Sequence, residues 1–138
     1  MNSYQAKKLA FLYARAALGI GFLSGIADRF GLWRGRYVGY GNFAGFIAYT
    51  VKVNSFMPAS SIPFLAWAAT AAELVLGILL LIGLWPRWTT LASALLLILF
   101  GTAMAISFGV KSPLDYSVFS ASAAAILLAL NEQPARAI

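Results

Sequence analysis

Few side chains in this sequence are able to do chemistry, and the most pointedly placed is Glu73. It sits near the middle of an almost unbroken apolar run, PFLAWAATAAELVLGILLLIGL, from Pro63 to Leu84. As a helix that run is long enough to cross a hydrocarbon core about 30 Å thick. A carboxylate facing lipid at that depth costs roughly 2–4 kcal/mol or more, so the acid needs shielding or a partner. Ala69, Glu73 and Gly77 fall at i, i+4 and i+8, on one stripe where small side chains let another helix approach. Glu73 is therefore expected to point into a helix bundle, and an acid in that position is read as a functional group first.

Arg15 interrupts an earlier apolar run, Leu9 to Phe30. Measured from the membrane side the two share, Arg15 and Glu73 differ in depth by about 7 Å, which a long arginine side chain closes. A buried Arg15–Glu73 ion pair is the preferred pairing. The alternatives are an Arg15 that snorkels to the nearer headgroups and a protonated Glu73 hydrogen-bonded across helices in a purely structural role. Asp115 reads mainly as a helix-start residue, with Ser112 as N-cap, Pro113 at N1 and the acid at N3. Asp28, by contrast, falls at the negative, C-terminal end of the first helix and needs a partner. Arg29 and Lys111 lie on the same membrane side. A cluster of Asp28, Arg29, Lys111 and Asp115 at the mouth of the bundle is thus expected, with surface ion pairs of no function as the alternative.

The elements that must hold these groups follow from composition. The chain has 138 residues, 62% of them hydrophobic and only 10% charged, well outside the range of a soluble domain. It reads as one integral membrane domain. With no cysteine and no histidine, disulfides, zinc sites, iron–sulfur clusters, thiol redox chemistry and His-assisted nucleophiles are excluded. No metal site is expected. The net charge of +6 is spread between and beside apolar runs, which suits lipid headgroups. No nucleic-acid role is expected.

Four spans are predicted, at about 9–30, 63–84, 88–108 and 114–130, giving an all-α four-helix bundle. The first carries Ala17, Gly21 and Gly25 every fourth residue, the third Gly101, Ala105 and Gly109, and the fourth Ser117, Ala121, Ala125 and Ala129. Each stripe is expected at a helix contact. The segment from about 40 to 54 is too short and polar to span. Phe43, Phe46, Ile47 and Val51 share one face of it, which predicts an amphipathic interfacial helix in the first loop. Trp33, Trp67, Trp85 and Trp88 read as interfacial anchors. Lys7, Lys8, Arg87 and Arg136 on one side balance Arg34, Arg36, Lys52 and Lys111 on the other. Cytoplasmic termini are favoured because Lys7 and Lys8 flank the first helix.

The sequence resembles the DoxX family of small membrane proteins. The resemblance is carried by Arg15-Ala-Ala-Leu-Gly-Ile-Gly-Phe-Leu-Ser-Gly, by Ala72-Glu73-Leu-Val-Leu-Gly77 followed by Gly83 and Arg87, and by Asp115-Tyr116-Ser117-Val118-Phe119-Ser120. It implies a four-helix protein of the bacterial inner membrane, with relatives associated with thiosulfate:quinone oxidoreductase or other membrane oxidoreductase complexes. What it implies for function is a non-catalytic or quinone-interacting subunit beside a membrane redox partner protein, with a homo-oligomer as a further expectation. No covalently bound cofactor is expected. Without Cys or His the chain itself would hold a quinone by Arg15, Glu73 and aromatics, with Asp28, Arg29, Lys111, Asp115 and Tyr116 as further ligand-binding candidates, and electrons would come from elsewhere. The competing readings are a small proton-linked transporter using Glu73 and a structural or assembly protein.

Overall fold

A computed structural model describes residues 1–131, and every regular element among them is helical. Helix α1, Ser3–Arg29, opens on a capping box in which Asn2 and Gln5 satisfy each other's backbone amides. Helix α2, Phe43–Val53, is capped by the Asn42 side chain, which accepts from the Gly45 amide. A short 3₁₀ turn, Ala59–Ser61, leads into α3, Ile62–Ile82. Gly83, left-handed at φ 76°, stops α3, and α4, Pro86–Phe108, begins with proline in its first turn. Two shorter helices follow, α5 at Lys111–Asp115 and α6 at Val118–Asn131.

Three stretches are long and apolar enough to cross a membrane: Ser3–Arg29, Ala59–Ile82 and Pro86–Phe108. Within the span expected at 114–130, Ser117 takes a left-handed φ of 55° and separates α5 from α6, whose 14 described residues rise about 21 Å. The expected helix start at Ser112, Pro113 and Asp115 is also displaced. Gly109, at φ 89°, lets the chain turn back into helix at once, so Val110 is the N-cap of α5 and Asp115 its last residue.

The long helices pack in a ring. α1 lies along α3, α4 along α6, and contacts of α3 with α4 and of α1 with α6 close it, while α2 rests on α3, α4 and α1. Along α3 the buried residues are Ile62, Ala66, Thr70, Glu73, Gly77 and Leu80, one stripe at helical spacing. Its polar members are made tolerable locally, since the Thr70 hydroxyl donates to the Ala66 carbonyl at 2.7 Å. Thr90 and Ser93 of α4 and Ser122 of α6 bond back to their own helices in the same way.

The small stripes divide. Gly101 is buried against α6, where an added Cβ would sit 2.7 Å from the Phe119 ring, and Ala125 and Ala129 are buried as expected. The α1 stripe is turned the other way: Ala17 and Gly21 are exposed, and nothing lies within 4 Å of a Cβ on Gly21. α1 meets α3 through Gly19 instead, whose added Cβ would lie 3.0 Å from the Gly77 carbonyl. The two arginines explain the rotation. Arg15 and Arg29, two heptads apart, share a face with Gly19 and Phe22, and turning both away from lipid turns Ala17 and Gly21 towards it. α2 is likewise rotated by a residue or so, burying Phe46, Thr50 and Val53 and leaving Val51 exposed.

Candidate functional site

Glu73 has its partner, and the partner is Arg29, not Arg15. The Arg29 Nη2 and Glu73 Oε2 atoms form a salt bridge in which both side chains are at least nine-tenths buried. Helix geometry decides the choice. Gly19 against Gly77 sets antiparallel helices in a register that places Glu73 between the two arginines. Side chains lean towards the N-terminus of their own helix, so Arg29 and Glu73 lean towards each other while Arg15 leans away. Arg15 instead donates from Nε and Nη2 to the Leu80 carbonyl, at 3.2 and 3.1 Å. A cation there sits on the last turn of α3, at the negative end of the helix dipole.

Arg29 is held on every side. Its Nη1 donates to Thr70 Oγ1 at 3.1 Å, and its guanidinium carbon lies 3.7 Å from the centroid of the Phe46 ring and 6.0 Å from that of Tyr40. The cation thus packs against α2, with its carboxylate partner on α3. The guanidinium Nε is buried with no hydrogen-bond partner among the described residues. Tyr40 sits edge-on to Phe46 and beside Tyr49. Burial pushes its hydroxyl up to about 12, with Tyr49 adding to the effect and Arg29 opposing it.

Asp28, the acid misplaced at the end of α1, finds backbone donors rather than cations. The amides of Gly39, Tyr40 and Gly41 all donate to its carboxylate, at 2.9 to 3.0 Å. Gly39 is needed for this approach, because a Cβ there would lie 2.7 Å from Asp28 Oδ2. The bonds fold residues 30–42 back over α1 and place Tyr40 above Arg29. The expected cluster of Asp28, Arg29, Lys111 and Asp115 is therefore not one site. Arg29 is drawn inward by Glu73 and Asp28 is occupied by amides. Lys111 and Asp115 pair with each other within α5 on open surface, beside an exposed Tyr116.

Beside the ion pair runs a groove of about 320 Å³ lined by Ser24, Gly25, Asp28, Trp33 and Tyr37. Trp33 is tied into it, donating from Nε1 to the Ser24 carbonyl and hydroxyl at 3.1 Å. Gly25 forms the thin wall between groove and ion pair: a Cβ on it would stand 3.8 Å from Glu73 Oε1. A larger apolar groove of about 440 Å³ lies at the α3–α4 turn, lined by Leu76, Leu79, Trp85, Trp88, Thr89 and Ala92. It has no ionisable lining residue, which leaves it the character of a lipid-facing surface.

The sequence pattern of the DoxX family matches residues 10–113. The chain belongs to the DoxX family. No curated protein and no solved structure matches it. The matched stretch holds Arg15, Arg29 and Glu73, so the charged core of this DoxX protein falls inside the family's own pattern. Taken with its three long apolar helices, the match makes it a membrane protein. Two residues around the ion pair escape sequence reasoning: Thr70 and Tyr40. Thr70 had a signal, as the one hydroxyl a helical turn before Glu73. Tyr40 had none, because its position depends on a loop fold.

Proposed function

We propose that this DoxX protein is an integral membrane subunit, not itself catalytic, that holds a lipid-soluble quinone-type ring for a membrane oxidoreductase partner. The observation that carries the reading is the groove beside α1, aromatic on one side through Trp33 and Tyr37 and backed by the buried Glu73–Arg29 pair across Gly25. A flat ring with two carbonyls suits such a place: aromatic faces for stacking and few polar groups to fix orientation. With no Cys or His, reducing equivalents come from the partner. A proton carrier built on Glu73 is the weaker reading, because Arg29 holds the carboxylate in a closed pair.

In this reading α1, α3, α4 and the α5–α6 unit make a four-span bundle in a bacterial inner membrane. α2 lies in the interface as a roof, and both termini are cytoplasmic. The ring of helix contacts supports the bundle, and Phe46, buried beneath α2 against Arg29, supports the roof. The orientation rests on Lys7 and Lys8; Arg136, counted for the same side, lies outside the described residues. The test is quenching of Trp33 emission by 2,3-dimethoxy-5-methyl-1,4-benzoquinone, in protein with the other tryptophans changed to phenylalanine. Saturable quenching is expected. Gly25→Leu should weaken it roughly three- to tenfold, the worth of a lost polar contact. Quenching that never saturates would refute the reading.

A further inference from the structure

The turn between α3 and α4 lies at the opposite end of α1 from the groove of Trp33 and Tyr37, and it gathers chemistry of a different kind. A groove of about 440 Å³ runs inward from this turn, with Leu76 and Leu79 of α3 on one wall and Thr89 and Ala92 of α4 on the other. Trp85 and Trp88 flank its mouth. Both are more than half exposed, as tryptophans that anchor at the level of lipid headgroups are. From Trp85 to Ala92 the groove extends about 10 Å into the span, at 1.5 Å per residue. At the mouth its apolar character ends. Arg87, in the first turn of α4 between the two tryptophans, is exposed and makes no ion pair among the described residues. That turn has no side-chain cap, and its first amide with a backbone partner is that of Thr89. The Arg87 and Trp88 amides are thus open donors at the positive end of the helix dipole. Lys7 and Lys8 stand exposed at the same end. No described acid faces them, since Asp28 and Asp115 belong to the other end and Glu73 is paired with Arg29.

We propose that the α3–α4 groove seats one acyl chain of an anionic phospholipid, whose phosphate lies against Arg87 and the open amides of the first α4 turn. Charge decides the occupant. The groove itself accepts hydrocarbon from any lipid, but a zwitterionic headgroup would bring a further cation to an end of the protein that already carries Arg87, Lys7 and Lys8 without a described acid. An anionic headgroup brings the complement, as a charge-assisted contact at the membrane surface. A second copy of the chain suits this face less well. In an isologous contact the same patch meets itself, so two Arg87 guanidiniums and two positive helix ends would be set like against like. The inference is independent of the quinone reading, which concerns the other end of α1.

The experiment is native mass spectrometry of the full chain released from detergent micelles, titrated with phosphatidylglycerol or with phosphatidylcholine of the same acyl chains. Wild type should retain one phosphatidylglycerol saturably and about fivefold more tightly than phosphatidylcholine, the worth of one basic side chain at an anionic surface. Arg87→Gln should abolish that preference, while Lys7→Gln combined with Lys8→Gln should keep it. Ala92→Phe fills the groove from an exposed position, which lets the variant fold, as checked by its thermal midpoint. It should lose the retained lipid with Arg87 intact. Equal affinities for the two lipids in wild type, or binding that rises without saturating, overturn the proposal. A preference that follows Lys7 and Lys8 instead of Arg87 also overturns it, because the attraction then belongs to the whole end and not to the groove. A fall in oligomeric mass in Ala92→Phe with phosphatidylglycerol binding intact overturns it in favour of a contact between copies.

Discussion

Removing Arg29 tests the reasoning behind the core most directly. In Arg29→Met the Glu73 carboxylate stays behind at nine-tenths burial, Thr70 loses its donor and Phe46 loses the cation on its face. Breaking a buried pair from one side destabilises by about 3–5 kcal/mol, because the remaining charge is uncompensated. For a chain of this size that is a fall in thermal midpoint of roughly 10 °C or more. Adding Glu73→Leu should return much of the loss, since well-packed apolar replacements for a buried pair are often close to neutral. Arg15→Met should also destabilise, by about 1.5–3 kcal/mol for a charged hydrogen bond, but additively with Glu73→Leu, within about 0.5 kcal/mol. The assay is a double-mutant cycle on detergent-solubilised protein, read by size-exclusion fluorescence after heating. Coupling of Glu73 to Arg15 as strong as its coupling to Arg29 would refute the register argument.

Two further outcomes follow from local geometry. Gly101→Ala should lower the thermal midpoint, by about 1–3 kcal/mol of overpacking against Phe119, whereas Gly21→Ala should leave it unchanged; the reverse order would place α1 and α4 wrongly. Tyr40, with its hydroxyl pushed up to about 12 from 10.0, contributes stability that is fully present below pH 10 and is lost as pH rises towards 12. A scan of thermal midpoint against pH should therefore fall over that window, and Tyr40→Phe should flatten the fall.

What the sequence revealed and what it hid divide along one physical line. Spans, loops and the buried acid are properties of single segments, so periodicity and apolar length exposed Glu73, α3 and α4 nearly to the residue. The helix in the first loop was legible for the same reason, as Phe43–Val53. The pairing of Glu73 is a property of two segments and of their direction. Depth counted along the membrane normal pointed to Arg15, and only the register of α1 against α3, with the lean of side chains along antiparallel helices, selects Arg29. The α1 stripe misled because small residues mark close approach of something, not necessarily of a helix. Here the need to bury two arginines outweighed it. Asp28 found backbone amides because Gly39 and Gly41 made them available, which no count of neighbouring charges would show.

The two arginines of α1 also bear on how the protein is assembled. α3 carries two groups unsuited to hydrocarbon, the Glu73 carboxylate and the Leu80 carbonyl that Arg15 caps, and both complements sit on α1. Synthesis delivers α1 first. By the time α3 reaches the bilayer, the neutralising charges are already there, and the two helices can partition as a hairpin whose polar groups meet before they meet lipid. An α3 offered to the membrane alone would carry a bare acid and an uncapped end. Insertion of the second long helix is in this sense templated by the first.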